Sequence, residues 1–280
     1  MRHFQGERIV DALKVALCLG CATWAASVAA LEPAAANAAR EIDEELKVED
    51  DPTILKRRVW LDSEWSRFKD DSNEVDETLG ALWAWRASPD QDWAVRVKVP
   101  INSHLAGDDA ADSSEHGLGD VKLATGTAYR FGERLRAGGG LELRTPTAHD
   151  SLGNDAWQVQ AFGAIAWDAS EVVSVSPSFE YNRSFSEEHG ARSVNYLEMF
   201  FPATFLLPRQ MSTTVRYEAK VDFEHHNFWT HSAKLSLAKR FIDSPLGATL
   251  SLKRSFDSGE KKFQLNLIAT YYFAAAPRTP

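Results

Sequence analysis

From residue 57 onward, hydrophobic and polar residues alternate along the chain with a period of two. In residues 93–101, Trp, Val, Val, Val and Ile take the odd positions, and Ala, Arg, Lys and Pro lie between them. Residues 212–223 and 263–273 alternate in the same way. A period of two is typical of β-strands, because successive side chains point to opposite faces of a sheet. The pattern predicts an all-β chain.

The alternating segments are long for strands. They run for about 10–14 residues, whereas strands of soluble proteins average about 5–6. Long alternating strands separated by turn residues are the signature of a transmembrane antiparallel up-and-down β-barrel with a polar lumen. We predict about twelve strands within residues 57–273, at approximately 57–68, 74–87, 92–103, 118–131, 134–145, 155–168, 171–184, 193–207, 210–223, 229–241, 245–256 and 261–273.

The connections between these strands alternate in length. Those after the second, fourth, sixth, eighth and tenth strands are short, whereas residues 104–117, 146–154 and 185–192 form longer polar connections. Short periplasmic turns opposite longer external loops are expected of an outer-membrane barrel. A soluble sandwich with an aromatic core is the alternative, but it does not explain the charges that lie in the middle of the strands.

Residues 1–38 have the order of a secretory signal peptide. Basic residues near the start precede an uncharged run over residues 15–31, and small residues follow. Two cleavage sites are open, after Ala30 and after Ala38. We favour the second because Pro33 ends the helical core a few residues upstream. An uncleaved membrane anchor is the alternative.

The cysteines fall in this same leader. The chain has two, Cys18 and Cys21, so the mature protein is expected to form no disulfide and no thiolate metal site. A cysteine-free exported chain suits a protein that crosses an oxidising periplasm.

Two segments flank the predicted barrel. Residues 39–56 are acidic, with seven acidic and two basic residues between positions 40 and 51. They predict either a mobile, solvated periplasmic tail or a short helix that caps the barrel. Residues 274–280 form a C-terminal tail after an aromatic strand end, 271–273, which resembles the recognition signal of barrel-insertion substrates. That resemblance implies the barrel-assembly machinery as a partner during insertion.

The charge balance bears on the choice of partner. The chain carries 31 basic and 40 acidic residues, a net charge of −9, and this acidic surplus argues against nucleic-acid binding. The strand pattern nevertheless points more cations than carboxylates into the lumen. The basic side chains are Arg86, Arg96, Lys98, Lys122, Arg130, Arg136, Arg144, Arg216, Lys220, Lys234, Arg240 and Lys253, and the acidic ones are Asp62, Glu64, Asp76, Glu142, Glu180, Glu198, Glu218 and Asp222.

These lumen charges predict ion selectivity. The twelve basic residues, with Glu142 and Glu218, are our candidates for the side chains that set it. A positive surplus in a narrow passage predicts a preference for anions, since such charge acts on a passing ion more strongly than screened surface charge. The alternative is that these charges pair across the lumen and only hold the wall in shape.

Other constellations offer weaker chemistry. His149 and Ser151 have the His-x-Ser spacing of outer-membrane phospholipases, and Asn154 follows in the same connection. Three histidines could ligate a metal, and four acidic residues could bind Ca²⁺ through oxygen ligands. These sets are His225, His226 and His231, and Asp108, Asp109, Asp112 and Glu115. We expect polar external loops in each case, with no cofactor and no enzyme activity.

Two segments resemble a known family. Residues 116–123, HGLGDVKL, resemble a strand opening with a G-L-G-D motif, and residues 138–147, GGGLELRTPT, resemble the next hairpin strand with its P-T loop. Together they are similar to the outer-membrane barrel family named for a meta-cleavage pathway of phenol degradation. The resemblance implies an outer-membrane transporter for hydrophobic or aromatic compounds, without catalytic residues.

The sequence therefore predicts a passive outer-membrane channel for small solutes, anionic or aromatic ones among them. Its expected partners are outer-membrane lipid and a small-molecule solute. Two alternatives remain: an outer-membrane enzyme of the lipid hydrolase type, supported by the His-x-Ser pair, and a structural barrel with a closed lumen.

Overall fold

The computed structural model describes residues 41–68, 73–105, 115–148, 152–153, 155–187, 193–256 and 261–273. The predicted signal peptide with both cleavage sites and the C-terminal tail 274–280 lie outside these residues. The same is true of the side chains of Asp108, Asp109, Asp112, Glu115, His149, Asp150, Ser151 and Asn154. In the part of the chain that is described, no helix is long and apolar enough to span a membrane.

The described residues form one antiparallel sheet that closes on itself. Its strands are β1 Arg58–Phe68, β2 Asn73–Ser88, β3 Gln91–Leu105, β4 Glu115–Leu118, β5 Lys122–Phe131, β6 Leu135–Arg144, β7 Ala156–Asp168, β8 Val173–Val175, β9 Ser178–Glu187, β10 Asn195–Leu207, β11 Met211–Asp222, β12 Phe228–Arg240, β13 Leu246–Ser255 and β14 Lys261–Tyr272. Pairing between β1 and β14 closes the barrel.

Two positions in the wall are each built from two strand pieces. The first piece of one of them, β4, lies almost wholly in the connection predicted at 104–117. Both β4 and β5 pair with β3, and both β8 and β9 pair with β7 and β10. Each pair of pieces therefore takes the place of one strand, and the wall has twelve positions, which confirms the predicted twelve-stranded barrel. The second break falls at Pro177, which has no N–H to donate to the ladder.

Both ends of the barrel wall lie on one side. Arg58 begins β1 and pairs with Tyr272 at the close of β14. We call this side the terminal end and the opposite side the far end. Tight turns join the strands at the terminal end, where Gly132, Arg209 and Gln210 have φ of 71°, 63° and 56°. Positive φ values are typical of the tight turns that connect hairpin strands.

The two faces of the wall have the polarity of a membrane barrel. The outward face is apolar and exposed, as at Leu141 (54% exposed) and Leu267 (52%). The inward face is polar, and the largest side chains with under 2% exposure there include Ser66, Ser212 and Ser251. A soluble sandwich buries apolar side chains instead, so that alternative is wrong.

Aromatic rings inside the barrel lie against glycines of neighbouring strands. A Cβ on Gly80 would lie 2.1 Å from the ring of Trp60, and one on Gly140 would lie 2.6 Å from the ring of Phe162. The backbone of Gly126 is also close, 2.7 Å from that added Cβ of Gly140. The predicted thin wall at residues 138–140 is therefore the place where Phe162 approaches the backbone.

Replacing Leu267 with Arg is expected to impair assembly far more than replacing Gln264 with Arg. Leu267 faces lipid between Ser63 and Leu250, where a cation costs about 2–4 kcal/mol. Gln264 faces the lumen, and its Nε2 donates to a Glu64 carboxylate oxygen at 2.6 Å, so an arginine there finds a carboxylate. The measurement is the folded fraction from heat-modifiable gel mobility. Equal folded fractions for L267R and Q264R would show that the face assignment is wrong.

Candidate functional site: the lumen

The acidic N-terminal segment lies inside the barrel. Residues 41–47 form a short helix, α1, and residues 48–56 continue as turns and coil. Leu46, Val48 and Ile54 are buried, with exposures of 6%, 4% and 6%. Val48 and Ile54 pack with Tyr272 of β14. We call residues 41–56 the plug.

Ion pairs join the plug to inward-facing arginines around the wall. Four carboxylates of the plug each meet an arginine from a different strand. These pairs are Asp51 with Arg136 of β6 at 2.9 Å, Asp50 with Arg216 of β11 at 3.1 Å, Glu45 with Arg240 of β12 at 2.5 Å, and Glu49 with Arg58 of β1. Lys47 pairs in the opposite sense with Asp168 of β7 at 2.9 Å.

Backbone carbonyls of the plug accept further hydrogen bonds from the wall. Ser176 Oγ donates to the Asp50 carbonyl at 2.9 Å, and Ser212 Oγ donates to the Leu46 carbonyl at 2.9 Å. Ser176 lies in the break between β8 and β9. Of the two sequence alternatives for this segment, the short helix is therefore found, and the mobile, solvated tail is wrong for residues 41–56. Arginines of the wall pair with the carboxylates of this segment, and apolar side chains of the wall pack against its apolar residues. These contacts stabilise the segment inside the barrel more than hydration would stabilise it outside.

Two neighbouring glutamates of α1 differ in their acidity. Burial raises the pKa of Glu44. The Lys56 ammonium 3.0 Å away, together with the positive charges of Arg130 and Arg136, more than offsets that rise, so the net pKa is below the ordinary glutamate value. Burial raises the pKa of Glu45, and its hydrogen bond from Arg240 only partly offsets that rise. Of these two, Glu45 takes up a proton first as the pH falls.

Most of the predicted selectivity residues are paired. Ten of the fourteen form ion pairs: Arg86, Arg96, Arg130, Arg136, Glu142, Arg216, Glu218, Lys220, Arg240 and Lys253. The other four, Lys98, Lys122, Arg144 and Lys234, have no carboxylate of the described residues within 4 Å. Within this set, Arg136, Arg216 and Arg240 form ion pairs with the plug. The role of this set in selectivity stays a prediction.

Cavities occupy the lumen beyond the plug. The first has a volume of about 440 Å³ and is bounded by the plug residues Glu49, Asp50 and Ile54. Its wall carries Lys98, Lys122 and Lys234, three of the cations that form no ion pair with a described residue. The rings of Trp60, Phe162 and Phe200 line the same wall. A second cavity of about 450 Å³ adjoins it, because Phe200, Lys253 and Gln264 line both.

The two segments that carry the family resemblance contact each other. Thr145 N donates to the Val121 carbonyl and Val121 N donates to Thr147 Oγ1, each at 2.9 Å. Asp120 Oδ1 accepts from Ala148 N at 3.2 Å. The G-L-G-D and P-T segments thus hold together the wall at the break between β4 and β5, a structural role that sequence reasoning did not supply.

Two of the described histidines proposed as metal ligands have other contacts. His225 Nδ1 lies 2.9 Å from an Asp222 carboxylate oxygen. His231 instead stacks with Tyr217 and Trp229, at ring-centroid distances of 6.0 Å and 6.1 Å. Among the described residues, no group of three or more His, Asp or Glu side chains is arranged to hold a metal ion.

Sequence reasoning missed the plug as part of the site. The signal that could have identified it is the apolar content of the acidic segment. Four large apolar residues lie among or directly after the carboxylates: Leu46, Val48, Ile54 and Leu55. Solvated, disordered tails are poor in such residues.

Comparison with known proteins places this arrangement among solved barrels. No family model and no curated protein matches the sequence. The COG4313 outer membrane channel from Pseudomonas putida F1 is similar at a TM-score of 0.68 and 15% identity, covering 78% of this chain and 96% of that one. The NanC porin is similar at a TM-score of 0.54 and 9% identity, covering 78% of this chain and 100% of that one. The CymD monoaromatic hydrocarbon channel is similar at a TM-score of 0.51 and 9% identity, covering 82% of this chain and 93% of that one. The chain therefore has the fold of bacterial outer-membrane channels and porins.

Proposed function

We propose that the protein is an outer-membrane channel for the passive uptake of small solutes and that it prefers anions. The observation that carries the proposal is the set of four lumen cations without an ion pair among the described residues: Lys98, Lys122, Arg144 and Lys234. Three of them line the first cavity, the one bounded by the plug. Fixed unpaired cations in a narrow passage lower the energy of a passing anion and raise that of a cation.

In this proposal the terminal end faces the periplasm. The short turns lie at that end, as expected for a barrel inserted from the periplasmic side. The plug then narrows the lumen from the periplasmic side, and solutes enter from the far end. Export through the predicted signal peptide, cleaved after Ala30 or Ala38, would bring the chain to the outer membrane.

The cavity also supports a proposal on the class of solute. Trp60, Phe162 and Phe200 present rings beside the cations, a combination that suits a small molecule with a planar apolar part and an acidic group. One of the similar structures is named as a monoaromatic hydrocarbon channel. Membership of the phenol-degradation family, with anionic or aromatic solutes, belongs to this proposal.

A structural barrel with a closed lumen is the second candidate. It is favoured by a specific observation, namely that ten of the fourteen selectivity candidates are engaged in ion pairs and that the plug fills the terminal end. Conductance separates the two candidates. We propose no enzyme activity, because the similar structures are named as channels and porins.

Reversal potentials in a salt gradient test the channel. The purified protein in a planar bilayer is expected to be anion-selective, and a double variant, Lys98→Met with Lys122→Met, is expected to lose most of that selectivity. Lys239→Met serves as a matched control, because Lys239 is at the terminal end and donates to the Arg209 carbonyl. Cation selectivity, or the absence of any conductance, would rule out an anion channel.

Neutralising the plug is expected to widen the path. Asp50→Asn together with Asp51→Asn removes one ion pair each from Arg216 and Arg136. Both arginines keep a second carboxylate in the wall, so the barrel is expected to fold while the plug loses two of its attachments. Single-channel conductance should rise because the plug is held less tightly. Glu41→Gln is the control, since Glu41 makes only a partly exposed contact with Lys56 at 3.7 Å. Unchanged conductance in the double variant would mean that the plug does not limit the flow.

A further inference from the structure

Cations gather on the inner face of three neighbouring strands. Lys98 of β3 lies directly opposite Lys122 of β5, which lies directly opposite Arg144 of β6. Neighbouring strands are about 4.8 Å apart, so the three side chains begin within about 10 Å of one another. Like charges placed opposite each other destabilise a sheet. A row of three cations therefore needs a reason other than the stability of the wall.

Few carboxylates compensate this row. Glu142 pairs with Arg96 at 2.7 Å, and Glu180 interacts electrostatically with Lys98 and Lys122 without reaching ion-pair distance. Asp62 also interacts with Lys98, but it interacts with the further cation Lys234 as well. We call Arg96, Lys98, Lys122, Arg144, Glu142 and Glu180 the basic cluster. Its four cations and two carboxylates leave two positive charges uncompensated.

The basic cluster also contains buried hydrogen-bond donors that have no acceptor among the described residues. The Nε atoms of Arg96 and Arg144 are buried and have no acceptor among the described residues. Buried N–H groups without an acceptor are rare in folded proteins and costly. The donors and the uncompensated charge both lack the same kind of partner, an anionic acceptor.

We propose that the basic cluster binds a small dianion, a dicarboxylate, as the solute passes through the lumen. Two carboxylates neutralise the two positive charges that remain, and their oxygens accept hydrogen bonds from guanidinium and ammonium groups. The ring of Phe162 lies 5.9 Å from the Arg96 guanidinium and lines the same cavity, so a planar dicarboxylate fits beside it. This inference rests on the proposed channel function and adds the charge of its solute.

Calorimetric binding to the purified, detergent-solubilised protein tests the inference. The probes are phthalate, a planar dianion, and benzoate, the matched monoanion. Phthalate is expected to bind at least about tenfold more tightly than benzoate, because the cluster offers it a second charge contact. Lys122→Met should weaken phthalate binding about tenfold and benzoate binding much less. Lys239→Met, outside the cluster, should change neither.

The outcomes separate this inference from the channel itself. Equal affinities for phthalate and benzoate, or a Lys122→Met variant that binds phthalate as the wild type does, would overturn the dianion site. An anion-selective conductance measured on the same preparation would still leave the channel standing. Preferential phthalate binding by a protein without conductance would keep the site and overturn the channel.

Discussion

The pairing of plug carboxylates with wall arginines is the interaction on which the arrangement of the lumen depends. Asp50, Asp51 and Glu45 are each buried against an arginine from a different strand. A buried charge without a partner is strongly destabilising, so each of these carboxylates depends on its arginine to remain in the lumen. Because Arg136 lies on β6 and the other two arginines lie on the neighbouring strands β11 and β12, the pairs attach the plug to two separate parts of the wall.

This pairing decides which charges remain for a solute. The plug uses Arg136, Arg216 and Arg240, whereas Glu142 holds Arg96 and Glu218 holds Lys253. The four selectivity candidates that have no ion pair within the described part of the chain lie on β3, β5, β6 and β12, and three of them line the cavity bounded by the plug. The net charge of the chain, −9, therefore does not predict the sign of the electrostatic potential inside the lumen. The carboxylates of the plug are paired with arginines and do not offset the remaining lumen cations.

Much of the wall could be predicted from the sequence. The interval predicted for the ninth strand, 210–223, contains the observed β11, Met211–Asp222, because a membrane wall imposes a strict period of two. The breaks at residues 119–121 and 176–177 were not predictable in this way. Ser174 and Ser178 on either side of the second break both face inward, so the period continues across the gap and hides it.

The lumen contacts could not be predicted for a different reason. Asp51 meets Arg136 and Glu45 meets Arg240 across separations of 85 and 195 residues, and no local pattern reports contacts between residues so far apart. The alternation of odd and even positions along each strand identified which side chains point inward. It did not identify which of them form ion pairs with one another. The family resemblance of residues 116–123 and 138–147 likewise gave no indication that these segments contact each other.

The most direct test of this account is a disulfide between the plug and the wall. Both cysteines of the chain lie in the predicted leader, so Leu46→Cys with Ser212→Cys introduces one pair where Ser212 Oγ donates to the Leu46 carbonyl at 2.9 Å. After mild oxidation and denaturation, maleimide–polyethylene glycol should label neither thiol until the protein is reduced, whereas each single variant is labelled at once. Full labelling of the double variant without reduction, and again after treatment with a flexible bis-maleimide cross-linker that tolerates other thiol orientations, would show that the plug does not lie in the lumen.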